Sequence, residues 1–170
     1  NQKNPIFFNE QNYHYFLKKI CNQIAPVADL IAYCLMPNHF HFLIAATEKS
    51  CLERPTFGGK PMQELSYKIG VLLSSYSQAI NKQNNTVGSL FQQKTKSKCV
   101  TDQYGRGAQS DLTAHNRTDR SYLITCMHYI HQNPYKAEMV AKLENWPYSS
   151  FQQYIGNKTV LRCDIDLMLS

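Results

Sequence analysis

His39 and His41 stand one residue apart at the head of His39–Ala46, a segment whose other six residues are all apolar. On a β-strand, side chains alternate between faces, so both imidazoles fall on one face, side by side. Two neutral imidazoles so placed make a natural pair of ligands for a divalent metal ion. Two histidines on a solvent-facing strand would show the same spacing. The apolar flanks favour the metal reading, because a strand buried on both faces needs a reason to carry polar side chains.

A metal beside a phosphate stabilises the charge that develops in phosphoryl transfer, and the attacking oxygen must lie in line with the leaving one. A tyrosine nucleophile should therefore share a helix face with a metal ligand. The chain has eleven tyrosines. Tyr129 has Asn133 four residues on, and Tyr148 has Gln152, so each pair shares a face one turn apart on a helix. Tyr76 lies in an apolar stripe and reads as core. Spacing alone leaves Tyr129 and Tyr148 both open, and a half-buried structural tyrosine is the ordinary alternative for either.

The elements that must carry these residues can be read in order. Tyr13, Phe16, Leu17, Ile20, Cys21 and Ile24 recur at helical spacing, and Pro26 ends the helix. Val27–Met36 is nearly all apolar and reads as a buried strand, followed by a Pro37-Asn38 turn and the strand His39–Ala46. In the second strand Phe40, Phe42 and Ile44 share one face; His39, His41, Leu43 and Ala45 share the other. Glu48–Pro61 reads as a loop. Met62, Leu65, Ile69, Leu72, Leu73, Tyr76 and Ile80 form the clearest helical stripe, broken at Asn84-Asn85 and Gly88. Ser89–Val100 reads as a strand, Thr101–Asp119 as a long loop, and Arg120–Asn133 as a helix that Pro134 ends, with a further short helix starting at Pro134. The order α-β-β-α-β-α predicts an α+β fold, with an antiparallel sheet covered by helices. One more strand, expected ahead of residue 1, would complete a ferredoxin-like core.

With 170 residues, the chain fits a single domain spanning 1–170, with an irregular tail from about residue 135. No apolar run approaches the roughly 18 to 20 residues that span a bilayer, and no signal peptide is expected. The six cysteines form no C-x-x-C pair, which points to free thiols and a cytoplasmic setting. The formal net charge is +6, and one window, residues 49–98, holds eight basic residues against Glu53 and Glu64. Its surplus equals that of the whole chain. A solvated helix face and a phosphate-binding patch both fit this pattern.

Four segments share a resemblance. Tyr33–Ile44 (YCLMPNHFHFLI) resembles the HUH strand of the single-tyrosine transposases, nearest the branch called REP-associated tyrosine transposases. Gly88–Gln92 (GSLFQ) with the basic Lys94–Ser97 resembles that branch's G-x-L-[FW]-Q segment. Tyr129–Pro134 (YIHQNP) resembles its Y-I-x-x-N-P motif, and Trp146–Ser150 (WPYSS) its W-x-[WFY]-S-S tail. The four occur in family order and span most of residues 6–154. The chain departs from the pattern in three ways: the strand the family pattern expects before residue 6 is not read in residues 1–5, the Thr101–Asp119 link is long, and Lys94-Thr-Lys96 stands where arginine is common.

The resemblance implies a metal-dependent endonuclease and strand transferase of single-stranded or hairpin DNA. It selects Tyr129 as nucleophile, and His39, His41 and Asn133 as ligands of a divalent ion, Mg²⁺ or Mn²⁺. Lys94, Lys96, Lys98 and Lys82 are expected on the DNA backbone. His131 is expected to make a hydrogen bond or a DNA contact, a metal ligand being the third option. A monomer is expected ahead of a homodimer. Two other functions remain open on sequence: a nucleic-acid-binding module without catalysis, and a metal-dependent hydrolase in which water attacks.

Overall fold

The computed structural model describes residues 4–56, 58–92, 96–98, 100, 112–159, 161 and 163–164. Helix α1 (Glu10–Gln23) is capped by Asn9, whose side chain accepts from the Asn12 N–H at 3.0 Å. Strands β1 (Ala28–Met36) and β2 (His39–Ala46) form an antiparallel hairpin. A short helix α2 (Glu48–Cys51) follows, then a two-residue ladder, β3 (Glu53–Arg54) with β4 (Met62–Gln63). Helix α3 (Glu64–Asn84) ends at Asn85, whose left-handed backbone (φ 52°) an asparagine tolerates. Helix α4 (Leu112–Lys136), a 3₁₀ turn (Leu143–Asn145) and helix α5 (Phe151–Tyr154) complete the chain.

The architecture is α+β, a two-stranded antiparallel sheet with helices on both faces. β1 is buried almost throughout, which explains its unbroken apolar run. On one face Leu30, Tyr33 and Leu35 pack with Phe40, Phe42 and Ile44 of β2 against α1 and α3. On the other face Ile31, Ala32, Cys34, Met36 and Leu43 pack against Leu123, Met127 and Ile130 of α4. A bulge at Ile31, between Leu30 and Ala32, lets both Ile31 and Ala32 serve this second core. The outer edge of β1 is covered by the tail: Leu35 N–H donates to Tyr148 O, and Ser150 N–H to Tyr33 O.

Three expectations from sequence are corrected. The described residues of Ser89–Val100 form no strand. Its large apolar residues, Leu90 and Phe91, are adjacent and cannot alternate; both dock into the α1–α3 core. The loop expected over Glu48–Pro61 contains α2, fastened by Ser50 Oγ donating to Val27 O, and β3. The helix expected to stop at Asn133 runs through Pro134 and begins at Leu112, inside the stretch read as a loop; residues 101–111 lie outside the described residues. A proline in a helix interior costs about 3 kcal/mol, partly because the carbonyl four residues back loses its donor. Here Asn133 supplies one, its side-chain Nδ2 donating to Ile130 O at 3.3 Å and to Tyr129 O at 2.8 Å.

Candidate metal and nucleophile site

The hairpin register sets the histidines. His41 pairs with Cys34 and His39 with Met36, next to the Pro37-Asn38 turn. Both point to the α4 side of the sheet, as the alternation predicts. Their ring centroids are 4.9 Å apart and the rings nearly perpendicular. His39 is exposed at the rim; His41 is half-buried. His39 Nδ1 is 2.7 Å from Asn38 Oδ1. If Nδ1 carries the proton, it donates to Asn38 and Nε2 keeps its lone pair for a ligand. Burial pushes the His41 pKa down to about 4, helped by neighbouring His39, and burial also lowers that of His39. Both imidazoles are thus neutral at pH 7, the form that binds metal.

Tyr129 stands over this pair. Its ring lies 5.7 Å from that of His41, edge to face, and it is 52% exposed. The core side of α4, Leu123, Met127 and Ile130, holds the helix on the sheet, so Tyr129 is left on the flank facing the histidines. The rival tyrosines are elsewhere. Tyr148 is 8% exposed and stacks on Tyr13 with centroids 3.8 Å apart, on the α1 side of the sheet. Tyr76 is buried, its hydroxyl donating to Ile6 O.

The remaining expected residues divide. Among the described residues no group of three or more His, Cys, Asp or Glu side chains could hold a metal ion. The two imidazoles suit a divalent ion, and the third protein donor would be the amide oxygen of Asn133. That residue is half-buried and one turn from Tyr129, its amide nitrogen held by helix carbonyls. His131 is not a surface contact. It is 4% exposed, its Nε2 lies 2.8 Å from Ser150 Oγ, and its ring packs on Phe151 and Tyr154. This is the hydrogen-bonding role, and it ties α4 to the tail on β1. Lys82 is exposed on α3, in the layer across the sheet from the histidines. Lys96 and Lys98 are exposed; Lys98 meets α4 through the hydroxyl of Tyr122 at 3.0 Å. Lys94 lies outside the described residues.

Sequence reading missed Lys136, whose Nζ sits 5.6 Å from the Tyr129 ring centroid. It lies seven residues on, two turns along the same face, a relation hidden by ending the helix at Asn133.

Burial of His131 has a consequence for stability. Its pKa falls from 6.5 to about 4, first by desolvation and then by His128. Below pH 6.5 the unfolded chain takes up a proton that the folded one refuses, so stability is expected to drop as pH falls from 6.5 toward 4. His39 and His41 add to the same trend. Thermal melts across this range should show it, and His131→Gln should flatten part of the slope; an unchanged slope would mean that His131 does not contribute.

Comparison of the chain with protein-family models, with curated proteins and with solved structures found no match.

Proposed function

We propose that this protein is a metal-dependent single-stranded DNA endonuclease and strand transferase that works through a covalent 5′-phosphotyrosine on Tyr129. The observation that carries the reading is the exposed Tyr129 hydroxyphenyl group set against a neutral histidine pair on one side of the sheet. The four motif resemblances support it, and the sheet is taken as part of a ferredoxin-like core on their strength.

The chemistry needs few groups. His39, His41 and the Asn133 amide oxygen would hold a divalent ion, Mg²⁺ or Mn²⁺; two imidazoles suit Mn²⁺ at least as well as Mg²⁺. When bound, that ion stabilises charge on the scissile phosphate. The Tyr129 phenol loses its proton, and its oxygen forms a bond to phosphorus. The bond from phosphorus to the 3′ oxygen breaks, and that oxygen leaves as a 3′-hydroxyl after gaining a proton. Attack by another 3′-hydroxyl on the phosphotyrosine reverses the sequence and joins strands. The phosphodiester energy is kept throughout, so no nucleoside triphosphate is required. Trapping a denaturant-resistant protein–DNA adduct tests the reading; a cut strand with no adduct would assign attack to water.

Basic residues outside the site would hold the backbone of single-stranded or hairpin DNA. Arg54 and Lys68 already pair with Glu64, at 3.1 and 3.7 Å. Lys49, Lys60, Lys82, Lys96 and Lys98 are exposed. DNA affinity is expected to fall with salt, with a log–log slope of about −0.7 per neutralised phosphate. Neutralising Lys94, Lys96 and Lys98 together should flatten that slope; a flat response in the parent protein would mean a merely solvated surface. Among the described residues no helix is long and apolar enough to cross a membrane, and five cysteines are free. The free thiols fit the cytoplasmic setting proposed here, and the motif resemblance is the ground for proposing a monomer.

A further inference from the structure

The flank of helix α4 that carries Tyr129 also carries Tyr122. Lys98 Nζ donates to the Tyr122 hydroxyl at 3.0 Å and stands 5.5 Å from that ring's centroid. Lys136 Nζ stands 5.6 Å from the centroid of Tyr129. Both lysines are exposed, Tyr122 is half-buried, and neither tyrosine belongs to the two cores, which Leu123, Met127 and Ile130 serve from an adjoining face of the helix. Tyr122 and Tyr129 are two turns apart, so they share a face and are separated by about 10.5 Å along the axis. No aspartate or glutamate occurs between Ser121 and Lys136.

Each nucleotide of a single strand offers an anion and a flat π face. Each Lys–Tyr pair offers the complements, a cation and an aromatic ring. The axial separation spans about three stacked nucleotide steps of about 3.4 Å, and fewer when the strand is stretched. Resting on the phosphotyrosine reading, we infer that this face of α4 is the track on which the single strand lies. A base within about three nucleotides of the scissile bond stacks on Tyr122, its phosphate held by Lys98. At the other end Lys136 meets the backbone beside Tyr129. Lys98 need not release Tyr122, since an ammonium group has three donors.

The test uses the full chain and a short oligothymidylate carrying a single 2-aminopurine, whose fluorescence falls when it stacks. Binding to the parent protein should quench it. Tyr122→Ala should weaken binding about tenfold, the loss of one stacked base, and reduce the quench. Tyr122→Phe should restore both, because the ring face carries the contact. Lys98→Gln should reduce the salt slope by about 0.7, one phosphate contact. Melting curves establish that each variant is folded; if Tyr122→Ala is not, Lys98→Gln decides. Affinity, quench and slope all at parental values in the folded variants overturn the track. An adduct assay on hairpin-bearing single strands runs beside it. An adduct at Tyr129 with no effect at Tyr122 or Lys98 overturns the track alone. A Tyr122-dependent quench with no adduct overturns the phosphotyrosine chemistry and leaves a single-strand-binding face. A protein that does not bind the strand overturns both.

Discussion

Tyr129→Phe is expected to stop cleavage of a hairpin-bearing single strand, with a rate loss of roughly a thousandfold or more. The change removes one oxygen and keeps the ring that packs against His41 and Lys136. Because Tyr129 is 52% exposed, stability should move by less than about 0.5 kcal/mol, so lost activity cannot be blamed on lost folding. Strand binding should persist, since phosphate contacts carry most of it. The parent protein should form an adduct on the 5′ side of the break, and peptide mapping should place it on the segment containing Tyr129. Tyr148→Phe should still form it, because Tyr148 is stacked on Tyr13 in the opposite core. An adduct on Tyr148 would mean that the wrong tyrosine of the two was chosen. Cleavage by Tyr129→Phe at the parental rate, with no adduct in either protein, would make water the nucleophile and leave the motif resemblance as a statement about fold alone.

Periodicity made half of this site legible. The alternation in His39–Ala46 is local, and a one-residue slip would take Phe40, Phe42 and Ile44 out of the α1–α3 core and turn both histidines into it, so the face carrying the histidines was readable from the pattern. What faces them was not. α4 was cut short at Asn133 because a proline ordinarily ends a helix, while the compensation, an asparagine amide donating to the stranded carbonyl of Ile130, is a side-chain event without a periodic signal. That one misreading hid Lys136. Position in sequence also cannot show what fills the open edge of a strand. Ser149 and Ser150 look like tail residues, yet Ser150 is buried with its hydroxyl between Tyr33 and His131. This contact holds His131 in the interior, off the surface where sequence alone left it. The choice between Tyr129 and Tyr148 likewise rested on motif resemblance; spacing gave both, and burial separates them.

His39→Ala and His41→Ala should each abolish cleavage and leave the fold. His39 is at the rim and His41 half-buried, so truncation should cost about 1 kcal/mol of stability. Loss of a partner outside the ligand set typically weakens metal binding by about 10- to 100-fold, and loss of a direct ligand should exceed that. Calorimetric titration with Mn²⁺ reads it directly, and equal affinity in parent and variants would sink the assignment. Asn38→Ala is the intermediate case: it removes the acceptor 2.7 Å from His39 Nδ1 but no ligand, so affinity should fall by about tenfold. The pH dependence discriminates further. Protons compete with metal only below the pKa of the free imidazole. An ordinary histidine pair would lose affinity as pH falls through about 6.5. With His41 held at about 4 and His39 also lowered, the fall should begin below 6.5, through His39 first, and deepen toward pH 4 where His41 titrates. A two-proton fall centred near 6.5 would mean that both histidines are hydrated surface groups, and the metal reading would fail with them.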